Sequence, residues 1–590
     1  AHRLLPAAAG RGGGPGAGRR AVAARLHRRR RLRNLEAEHL PHRSHGRSAR
    51  ARPGSAARRA RRGGPQVHRI LIADPLEASG VEILRAAGAE VVLLGAADRP
   101  RLAELVADAD ALVVRSATKV TRELLAAAKR LRVVGRAGIG VDNVDVPAAT
   151  ERGVLVVNAP TANVVSATEH TFAMMLALAR RVPAADASMK RGEWDRKSFL
   201  GSELQGKTLG VIGFGRIGQR VAARARAFEM TVVAHDPFLD PASARRLEVE
   251  PLEVDELLAR CDIVTLHTPL TDATRNLLDA RRIAILKPGA LVVNCGRGGT
   301  LDEAALLAAL EAGHLGGAAL DVYAEEPPPN LDLVRHPRVV ATPHIGAQTG
   351  EAQERIAVET ARMVLAALSG SLAIAAVNLP FTSSGRREEP WLRLGDRLGR
   401  LAGRLASGSP RRIEISRRGV DEELEAPIVV AVVRGVLSRF LGDEVNYVNA
   451  GHLAAERGIV VVRTDQGAAE DDSPGIVVRL VADGGSVELA GALVGGREAR
   501  VVAISGYRLE FWPEGRLLVI ESRDVPGVVG RLGSLLGEAG VNIGDIHLAR
   551  REAAGETLAV LRLDQAPDAG VLERLAAAPD VRRVSYVELN

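Results

Sequence analysis

The sequence predicts a multidomain protein that begins with α/β domains and ends with α+β domains. Between residues 67 and 380, short apolar runs such as RILIADP and GVLVVNAP alternate with helical segments rich in Ala, Leu and Glu. This pattern is typical of parallel sheets covered by helices. From residue 516 the pattern changes to a β-α-β-β-α-β order, which is typical of a ferredoxin-like domain. With 590 residues and about 150 residues per domain, roughly four domains are expected.

Composition narrows the class of protein. Hydrophobic residues make up 46% of the chain but aromatic residues only 3%, so the cores are expected to consist of Ala, Val and Leu. Apolar runs stay well below the ~18 residues of a membrane span, and no membrane partner is predicted. The two cysteines, Cys261 and Cys295, lie in apolar, strand-like runs. They favour buried thiols in a reducing compartment, so a cytoplasmic location is expected. No metal site is predicted.

The net positive charge of the chain comes from its first segment. Residues 1–66 contain 18 Arg, no Lys and only Glu36 and Glu38, which gives +16, whereas the remainder carries −7. The main part is mildly acidic, so no nucleic-acid partner is predicted. The segment itself is a low-complexity sequence that cannot bury a core. It fits a disordered basic arm, a transit peptide that would direct the protein to a plastid, or a spurious extension without function, which we favour.

The stretch LGVIGFGRIGQRVA, residues 209–222, predicts a strand, a tight turn and the start of a helix. Gly213 and Gly215 allow the backbone to turn and to approach a pyrophosphate, and Gly218 allows the helix to pack on the strand. The apolar run MTVVA that follows ends near Asp236, eighteen residues after Gly218. This is the spacing of the acid that binds a ribose diol. The pattern predicts a Rossmann-type domain for NAD, since the carboxylate would repel the 2′-phosphate of NADP.

Three polar residues further along the chain are predicted to lie at the carboxyl ends of strands, where open α/β sheets bind ligands. They are Arg297 in NCGRGG, Glu326 in DVYAEEP and His344 in TPHIG. Oxidation of a secondary alcohol requires a base for the hydroxyl proton, for which histidine is suited. A carboxylate orients such a histidine, and an arginine binds the carboxylate of the substrate. Each residue alone is also compatible with an ordinary loop position.

Several motifs resemble those of the D-isomer-specific 2-hydroxyacid dehydrogenase family. They are GRAGIGVDNVD, GFGRIGQ, HTPLT, NCGRGGTLDE, AALDVYAEEPP and TPHIGAQTGEAQ. The resemblance covers residues 68–590 and is strongest to the long-form members. It implies NAD-dependent oxidation of 3-phosphoglycerate to 3-phosphohydroxypyruvate, the first step of the phosphorylated route to serine. A glyoxylate or hydroxypyruvate reductase and an NAD-sensing, corepressor-like binding protein remain as alternatives.

The resemblance also implies a division of the chain and a set of cofactor contacts. A flavodoxin-like substrate-binding domain would comprise residues 67–160 and 347–380, and the NAD-binding domain residues 161–346. An α+β intervening domain (381–515) and an ACT regulatory domain (516–590) would follow, with a polar linker after Phe381. By the resemblance, further residues besides the turn glycines would contact NAD: Arg216, Ile217, Asp236, Thr268, Cys295, Asp321 and Gly346.

The resemblance implies substrate contacts as well. Arg115, Ser116 and Arg136 match positions that bind the phosphate and carboxylate of the substrate, and guanidinium groups suit both. Arg196 is a candidate contact from a neighbouring subunit. All three arginines are also compatible with ordinary surface cations.

The helix predicted over residues 163–180 and the ACT domain both suggest a homodimer or homotetramer. In the ACT domain, Asp524 and Asn542 match positions that bind L-serine in regulated relatives. Both residues are also compatible with turns.

Two positions depart from the family pattern. Glu229 stands where a glycine is usual at a helix exit, so the left-handed conformation expected there would be strained or replaced by another turn. Gln348 replaces a small hydroxyl residue. Neither position coincides with Arg297, Glu326 or His344.

Overall fold

The structure is a computed structural model that describes residues 67–589 except 330, 373–374, 382–386, 468–473 and 552–554. The predicted basic segment 1–66 and most of the predicted linker after Phe381 therefore lie outside the described residues. Within the unit Val67–Asn590, four sheets follow one another along the chain. Their types confirm the fold class that the sequence predicts.

The first sheet has five parallel strands in the order β2-β1-β3-β4-β5, as in flavodoxin-like folds. The strands consist largely of valine, leucine and isoleucine, as expected for a sheet with helices on both faces. They are β1 (Arg69–Ile72), β2 (Glu90–Leu93), β3 (Ala111–Val114), β4 (Val133–Arg136) and β5 (Leu155–Asn158). The helices between them are α1 (Ala78–Ala86), α2 (Leu102–Leu105), α3 (Arg122–Ala127) and α4 (Val146–Glu151).

The second sheet has seven parallel strands in the order β12-β11-β10-β9-β6-β7-β8, the doubly wound arrangement of a dinucleotide-binding fold. Its strands are β6 (Thr208–Ile212), β7 (Thr231–His235), β8 (Glu250–Pro251), β9 (Ile263–Leu266), β10 (Leu291–Asn294), β11 (Gly317–Leu320) and β12 (Val339–Ala341). Its helices are α5 (Val164–Ala179), α6 (Val182–Lys190), α7 (Arg216–Ala227), α8 (Pro241–Arg246), α9 (Val254–Arg260), α10 (Ala280–Ile285), α11 (Glu303–Glu311) and α12 (Asp332–Arg335).

The chain crosses between the first two sheets twice. It leaves the first sheet after β5 and enters α5, which packs on α7 and β11 of the second sheet. It returns through α13 (Gly350–Leu368), which packs on α1 and β4. A Cβ at Gly80 in α1 would lie 2.8 Å from the carbonyl oxygen of Ala357, so glycine allows α1 and α13 to approach closely.

Glu229 keeps the left-handed conformation at the end of α7, with a φ of +58°. A glycine would adopt this conformation without cost, whereas a residue with a Cβ is strained there by roughly 1 kcal/mol. The chain therefore does not replace the left-handed conformation with a different turn.

The third sheet has six strands in the order β14-β13-β15-β16-β17-β18, and β13 and β14 run parallel. The strands are β13 (Pro410–Arg418), β14 (Val460–Asp465), β15 (Gly475–Ala482), β16 (Gly485–Val494), β17 (Glu498–Ile504) and β18 (Tyr507–Phe511). The helices of this part are α14 (Glu389–Leu405), α15 (Glu425–Leu441) and α16 (Ala450–Glu456).

Helices α14 and α15 approach each other to backbone contact. Glycines recur every four residues on α14, and a Cβ at Gly399 would lie 2.2 Å from the carbonyl oxygen of Val432. On α15, a Cβ at Gly435 would lie 2.3 Å from the carbonyl oxygen of Asp396. Only glycine fits at these two positions without displacing a backbone.

The fourth sheet is antiparallel with the order β20-β21-β19-β22, the ferredoxin-like arrangement that the sequence predicts. Its strands are β19 (Gly515–Arg523), β20 (Ile543–Arg550), β21 (Glu556–Leu563) and β22 (Val581–Leu589), and its helices are α17 (Val528–Glu538) and α18 (Ala569–Ala576). Only residues 512–514 separate it from β18.

The last two sheets share one core. Side chains that alternate along β19 take part in two different clusters, because successive residues of a strand point to opposite faces. Leu518 and Ile520 join the cluster beneath α17 and α18, whereas Leu517 and Val519 join the cluster of the third sheet and α14. Helix α14 packs on β22 as well as on β16. Strand β19 of the fourth sheet is thus covered on both faces.

Candidate active site

The glycine turn lies between β6 and α7. Gly213 has a φ of +90°, and a Cβ there would lie 2.6 Å from the carbonyl carbon of His267. A Cβ at Gly218 would lie 2.2 Å from the carbonyl oxygen of Gly213, so α7 can begin against β6 only with glycine here. A Cβ at Gly215, in contrast, would meet no atom within 4 Å. An anionic group can therefore approach the backbone at the amino terminus of α7.

Asp236 follows β7 and is held by the backbone. Its Oδ2 accepts the N–H of Phe214 at 2.8 Å, and its Oδ1 accepts the N–H of Phe238 at 2.9 Å. The first of these bonds ties the carboxylate to the glycine turn. Since each carboxylate oxygen can accept more than one hydrogen bond, both remain able to accept from ribose hydroxyls.

Asp321 follows β11 and organises the loop that carries His344. Its oxygens accept the N–H groups of Ile345 (2.8 Å) and Gly346 (2.9 Å) and the hydroxyl of Thr342 (2.6 Å). Burial disfavours its charge, but hydrogen bonds from His170 and Thr342 outweigh burial and hold the pKa of Asp321 below its usual range. The carboxylate therefore remains ionised although only 1% of Asp321 is exposed.

Two further predicted cofactor residues follow β9 and β10. The hydroxyl of Thr268 is buried and has no hydrogen-bond partner among the described residues, as expected where a bound molecule supplies one. Cys295 is buried, and burial raises the pKa of its thiol to about 12. The orphaned hydroxyl, the open Gly215 and the acid at Asp236 together fit a dinucleotide such as NAD.

One cavity of about 390 Å³ brings most of these positions together. It is lined by residues predicted for the cofactor and for catalysis, namely Gly215, Arg216, Ile217, Thr268, Cys295, Arg297, Asp321, His344 and Gly346. Arg216 also donates to the carbonyl of Pro160 at 3.4 Å, on the segment that joins the first two sheets. The cavity therefore lies where the two sheets meet.

His344 and Glu326 form a hydrogen-bonded pair. The Nδ1 of His344 is 2.7 Å from Oε2 of Glu326, and Oε1 of Glu326 accepts the N–H of Tyr323 at 3.2 Å. Burial opposes ionisation of Glu326, but the hydrogen bond from His344 holds the pKa of Glu326 below its usual range. An ionised Glu326 assigns the proton to Nδ1 and leaves Nε2 to act as a base. His344 has a φ of +54°, so its backbone is left-handed.

Arg297 follows β10 and lies at the boundary between the two sheets. Its Nη1 donates to the carbonyl of Gly296 at 2.7 Å, and its Nε lies 3.4 Å from Oδ2 of Asp142 in the first domain. A Cβ at Gly140 would lie 2.4 Å from Nη2 of Arg297. The guanidinium therefore rests against the backbone of the Gly140 turn, across the cleft from its own strand.

The predicted substrate residues of the first domain lie at the carboxyl ends of two strands. Arg115 and Ser116 follow β3, and the N–H of Arg115 donates to Asp74 at 2.7 Å. Arg136 is the last residue of β4, and its Nε is buried without a partner among the described residues. Burial, reinforced by the nearby Arg297, lowers the pKa of Arg136 to about 10. Arg136 and Arg297 thus create a region of concentrated positive charge.

Arg196 does not join this site within the chain. It is exposed in the loop after α6, where Asp195 accepts the N–H groups of Lys197 (3.0 Å) and Ser198 (3.1 Å). Its predicted contribution is therefore from one subunit to another.

The two predicted effector residues already have partners in the ACT-like fourth domain. Arg550 donates to Asp524 at 3.2 Å, and Asn542 donates to Asp564 at 2.7 Å. A ligand at these positions would have to compete with both contacts.

Several residues of the site are missed by the sequence reasoning. Asp142 follows the glycines of the motif GRAGIGVDN. Nothing in this motif indicates that Asp142 lies beside Arg297. His170 is a second example, since it lies in a helix predicted only as an apolar stripe and yet contacts Asp321 at 3.1 Å. In each case the partner is more than 140 residues away along the chain, so no local pattern identifies it.

Comparison with known families gives the class of the protein. Residues 172–346 match the family described as D-isomer specific 2-hydroxyacid dehydrogenase, NAD binding domain. Residues 387–505 match the D-3-phosphoglycerate dehydrogenase intervening domain, and residues 516–580 match the ACT domain. The second sheet is thus an NAD-binding domain of the 2-hydroxyacid dehydrogenase class, and the ACT domain indicates an effector.

Relatives from three organisms narrow the class. D-3-phosphoglycerate dehydrogenase of Mycobacterium tuberculosis is 44% identical over 526 residues, which is 88% of this chain and 99% of the relative. The enzymes of Methanocaldococcus jannaschii (41% over 527 residues) and Bacillus subtilis (39% over 525 residues) also cover 88% of this chain. They are themselves covered over 100% and 99% of their lengths, respectively. The chain belongs to the D-3-phosphoglycerate dehydrogenase family.

Solved structures resemble about half of the chain. A Thermus thermophilus protein is 38% identical and covers 52% of this chain and 99% of its own, with a TM-score of 0.49. D-lactate dehydrogenase from Aquifex aeolicus, solved with NAD and lactic acid, is 30% identical and covers 51% of this chain and 96% of its own, with a TM-score of 0.47.

Neither a membrane span nor a metal centre emerges from the described ranges. No helix in them is both long and apolar enough to cross a bilayer. The same residues contain no group of three or more His, Cys, Asp and Glu side chains that could hold a metal ion.

Proposed function

We propose that the protein oxidises 3-phosphoglycerate to 3-phosphohydroxypyruvate with NAD, as the first step of the phosphorylated route to serine. The observation that carries this proposal is that His344, hydrogen-bonded to Glu326, and Arg297 line one cavity next to the glycine turn. Relatives that bear the name D-3-phosphoglycerate dehydrogenase over nearly their whole length support the choice of substrate. The location proposed for this activity is the cytoplasm.

In the proposed mechanism His344 is the base. Its Nδ1 stays hydrogen-bonded to Glu326 at 2.7 Å while Nε2 accepts the hydroxyl proton of the substrate. The imidazolium that results is stabilised by the ionised Glu326. Bound NAD supplies the acceptor for the hydride, which leaves the carbon that carries this hydroxyl. Closure of the two domains over the cavity would exclude water before the transfer.

Arginines would orient the substrate. Arg297 is proposed to bind the substrate carboxylate through two parallel N–H bonds and to polarise the oxygen at the reacting carbon. Arg115, Ser116 and Arg136 are proposed to bind the phosphate from the first domain. The buried, unpartnered Nε of Arg136 supports this role, because a buried donor without a partner is costly unless a ligand accepts from it.

We also propose that the active form is a homodimer or homotetramer. The segment that carries Arg196 exposes large apolar side chains, with Trp194 78% and Leu200 86% exposed. Large apolar side chains that are exposed on one segment are typical of an interface. In such an oligomer Arg196 would add positive charge to the substrate site of the neighbouring subunit.

L-Serine is the proposed effector of the ACT domain, with Asp524 and Asn542 as its contacts. A carboxylate would bind the ammonium group and an amide would bind the remainder of the amino acid. Their present partners, Arg550 and Asp564, would be released on binding.

The direct test follows NADH oxidation by the full chain with 3-phosphohydroxypyruvate or with unphosphorylated hydroxypyruvate. We expect a preference for the phosphorylated substrate of at least tenfold, because a phosphate adds charge-assisted hydrogen bonds of about 1.5–3 kcal/mol each. Preference for hydroxypyruvate would assign the protein to the reductases instead. Turnover of neither substrate, with NADH binding intact, would favour a binding protein. The same assay with added L-serine tests the effector.

A further inference from the structure

Asp142 places a negative charge beside Arg297, one of the arginines of the proposed anion site. Its Oδ2 lies 3.4 Å from Nε of Arg297, and a Cβ at Gly140 would lie 2.7 Å from the same oxygen. The carboxylate and the guanidinium therefore meet on the Gly140 turn. Asp142 belongs to the first domain and Arg297 to the second, so this ion pair spans the cleft.

The segment around Asp142 is fixed, so its position is not accidental. The side-chain amide of the adjacent Asn143 donates to the carbonyl oxygens of Arg115 and Thr118, both at 2.6 Å. Three residues beyond Asp142, Asp145 caps α4 by accepting the N–H of Ala148 at 2.9 Å. The segment is thereby held between the Arg115 loop and α4, and 60% of the Asp142 side chain remains exposed.

The charges around Asp142 indicate what it does. Arg136 and Arg297 are close enough to repel each other, and Asp142 is the nearby acid that favours the charged form of Arg136. The second acid near Arg136 is Asp74, whose oxygens accept N–H groups of Arg115 and Thr118 and the Thr118 hydroxyl. Asp74 is therefore occupied by the Arg115–Thr118 loop and lies 3.7 Å from Arg99, whereas Asp142 pairs with Arg297.

We propose that Asp142 is an internal counter-ion that holds Arg297 in the absence of substrate and must yield it to the substrate carboxylate. This inference rests on the proposed function of the site. Asp142 then sets the affinity for anions, because each incoming anion has to replace an anion that is already in place. It disfavours weakly bound inorganic anions and leaves the site to substrates that also engage the arginines of the first domain. It takes no part in the proton transfer at His344.

The test compares wild type with Asp142→Asn, which keeps the shape of the side chain and removes its charge. For 3-phosphohydroxypyruvate we expect KM to fall about three- to tenfold while kcat stays within about twofold, which corresponds to an exposed ion pair of roughly 0.6–1.4 kcal/mol. Asp142→Glu, which restores the charge, should return KM toward the wild-type value. Asp108→Asn, on an exposed residue of the same domain, is the matched control and should leave KM unchanged.

A second measurement separates this inference from the proposed function. Inorganic phosphate should raise the melting temperature of Asp142→Asn more than that of wild type or Asp108→Asn, relative to chloride at equal ionic strength. This measurement needs no turnover, so it tests the counter-ion even if neither keto acid is a substrate. An unchanged or higher KM together with unchanged stabilisation by phosphate would overturn the inference. An equal effect in Asp108→Asn would also overturn it, because the cause would then be net charge.

Discussion

The cleft between the first two sheets and the junction between the last two are held by different interactions. At the cleft, Arg297 meets Asp142 as an ion pair, and where the chain crosses over, the apolar contact is a small cluster of Ala137, Ala159, Ala162 and Ile356. At the junction, Leu517 and Val519 of the fourth sheet continue the core of the third. A polar pair can exchange partners with a ligand, whereas a shared core cannot open without exposing apolar surface. The first interface therefore suits closure over substrate, and the second suits motion as one body.

The largest expected effect is a loss of turnover, without a loss of stability, on substitution of a residue at the cleft. His344→Asn removes the proposed base, and asparagine tolerates the left-handed backbone. We expect kcat to fall about 10²–10⁴-fold, the range of a general base. NADH affinity, measured by fluorescence titration, and melting temperature should change little. His452→Asn, on an exposed histidine, is the control. Retained turnover would contradict the role of His344, and loss of NADH binding would indicate damage to the fold instead.

The next effect tests whether the junction unfolds as one body. Leu398 in α14 is fully buried in the shared core. Leu398→Ala should destabilise the protein by about 2–5 kcal/mol through lost burial and a residual cavity. In calorimetry, the last two domains should melt in one transition, and the substitution should lower the midpoint temperature of that transition. Val494→Ala, on an exposed residue, should stay within about 0.5 kcal/mol. Two separate transitions, of which only one has a lowered midpoint temperature, would show that the two domains unfold independently.

A smaller effect asks whether polar contacts contribute to the same junction. Arg583 of β22 donates to the carbonyl oxygen of Leu405 and to the hydroxyl of Ser407, at 3.2 Å in the second case. Arg583→Ala should cost about 1 kcal/mol, because water can replace partly exposed hydrogen bonds. The midpoint of urea unfolding measures this change. A loss above about 3 kcal/mol would mean that the polar contacts, and not the shared core, hold the two domains together.

The smallest expected effect concerns the two buried cysteines, for which no reaction is expected in the native protein. Burial raises the pKa values of Cys261 and Cys295 to about 12. Because the thiolate is the reactive form and a raised pKa depletes it at lower pH, neither thiol should react with Ellman's reagent at pH 8. Two thiols should react once guanidinium unfolds the chain. Reaction of Cys295 in the native protein would mean that the cavity wall opens to solvent.

The sequence predicts the α/β parts well because their signals are local. The turn from Gly213 to Gly218 and the acid at Asp236 lie within one βαβ unit, and period and spacing identify them. The sequence does not predict the contact of α14 with α15, although the glycines of α14 recur every four residues. Glycine within a helix usually indicates a less stable helix and not close packing against another helix. The pairing of Asp142 with Arg297 depends on the docking of two domains, which no local pattern encodes.

The close contact of α14 and α15 also determines where backbone amides are most protected from solvent. A Cβ would not fit between the two helices at Gly399 or Gly435, so the two backbones are in contact at these positions. Amide hydrogens there can exchange with deuterium only when the helices separate, which requires unfolding of the core they share with the fourth sheet. Among the described residues, slow exchange is therefore expected in the third and fourth domains, while the cleft between the first two domains exchanges faster.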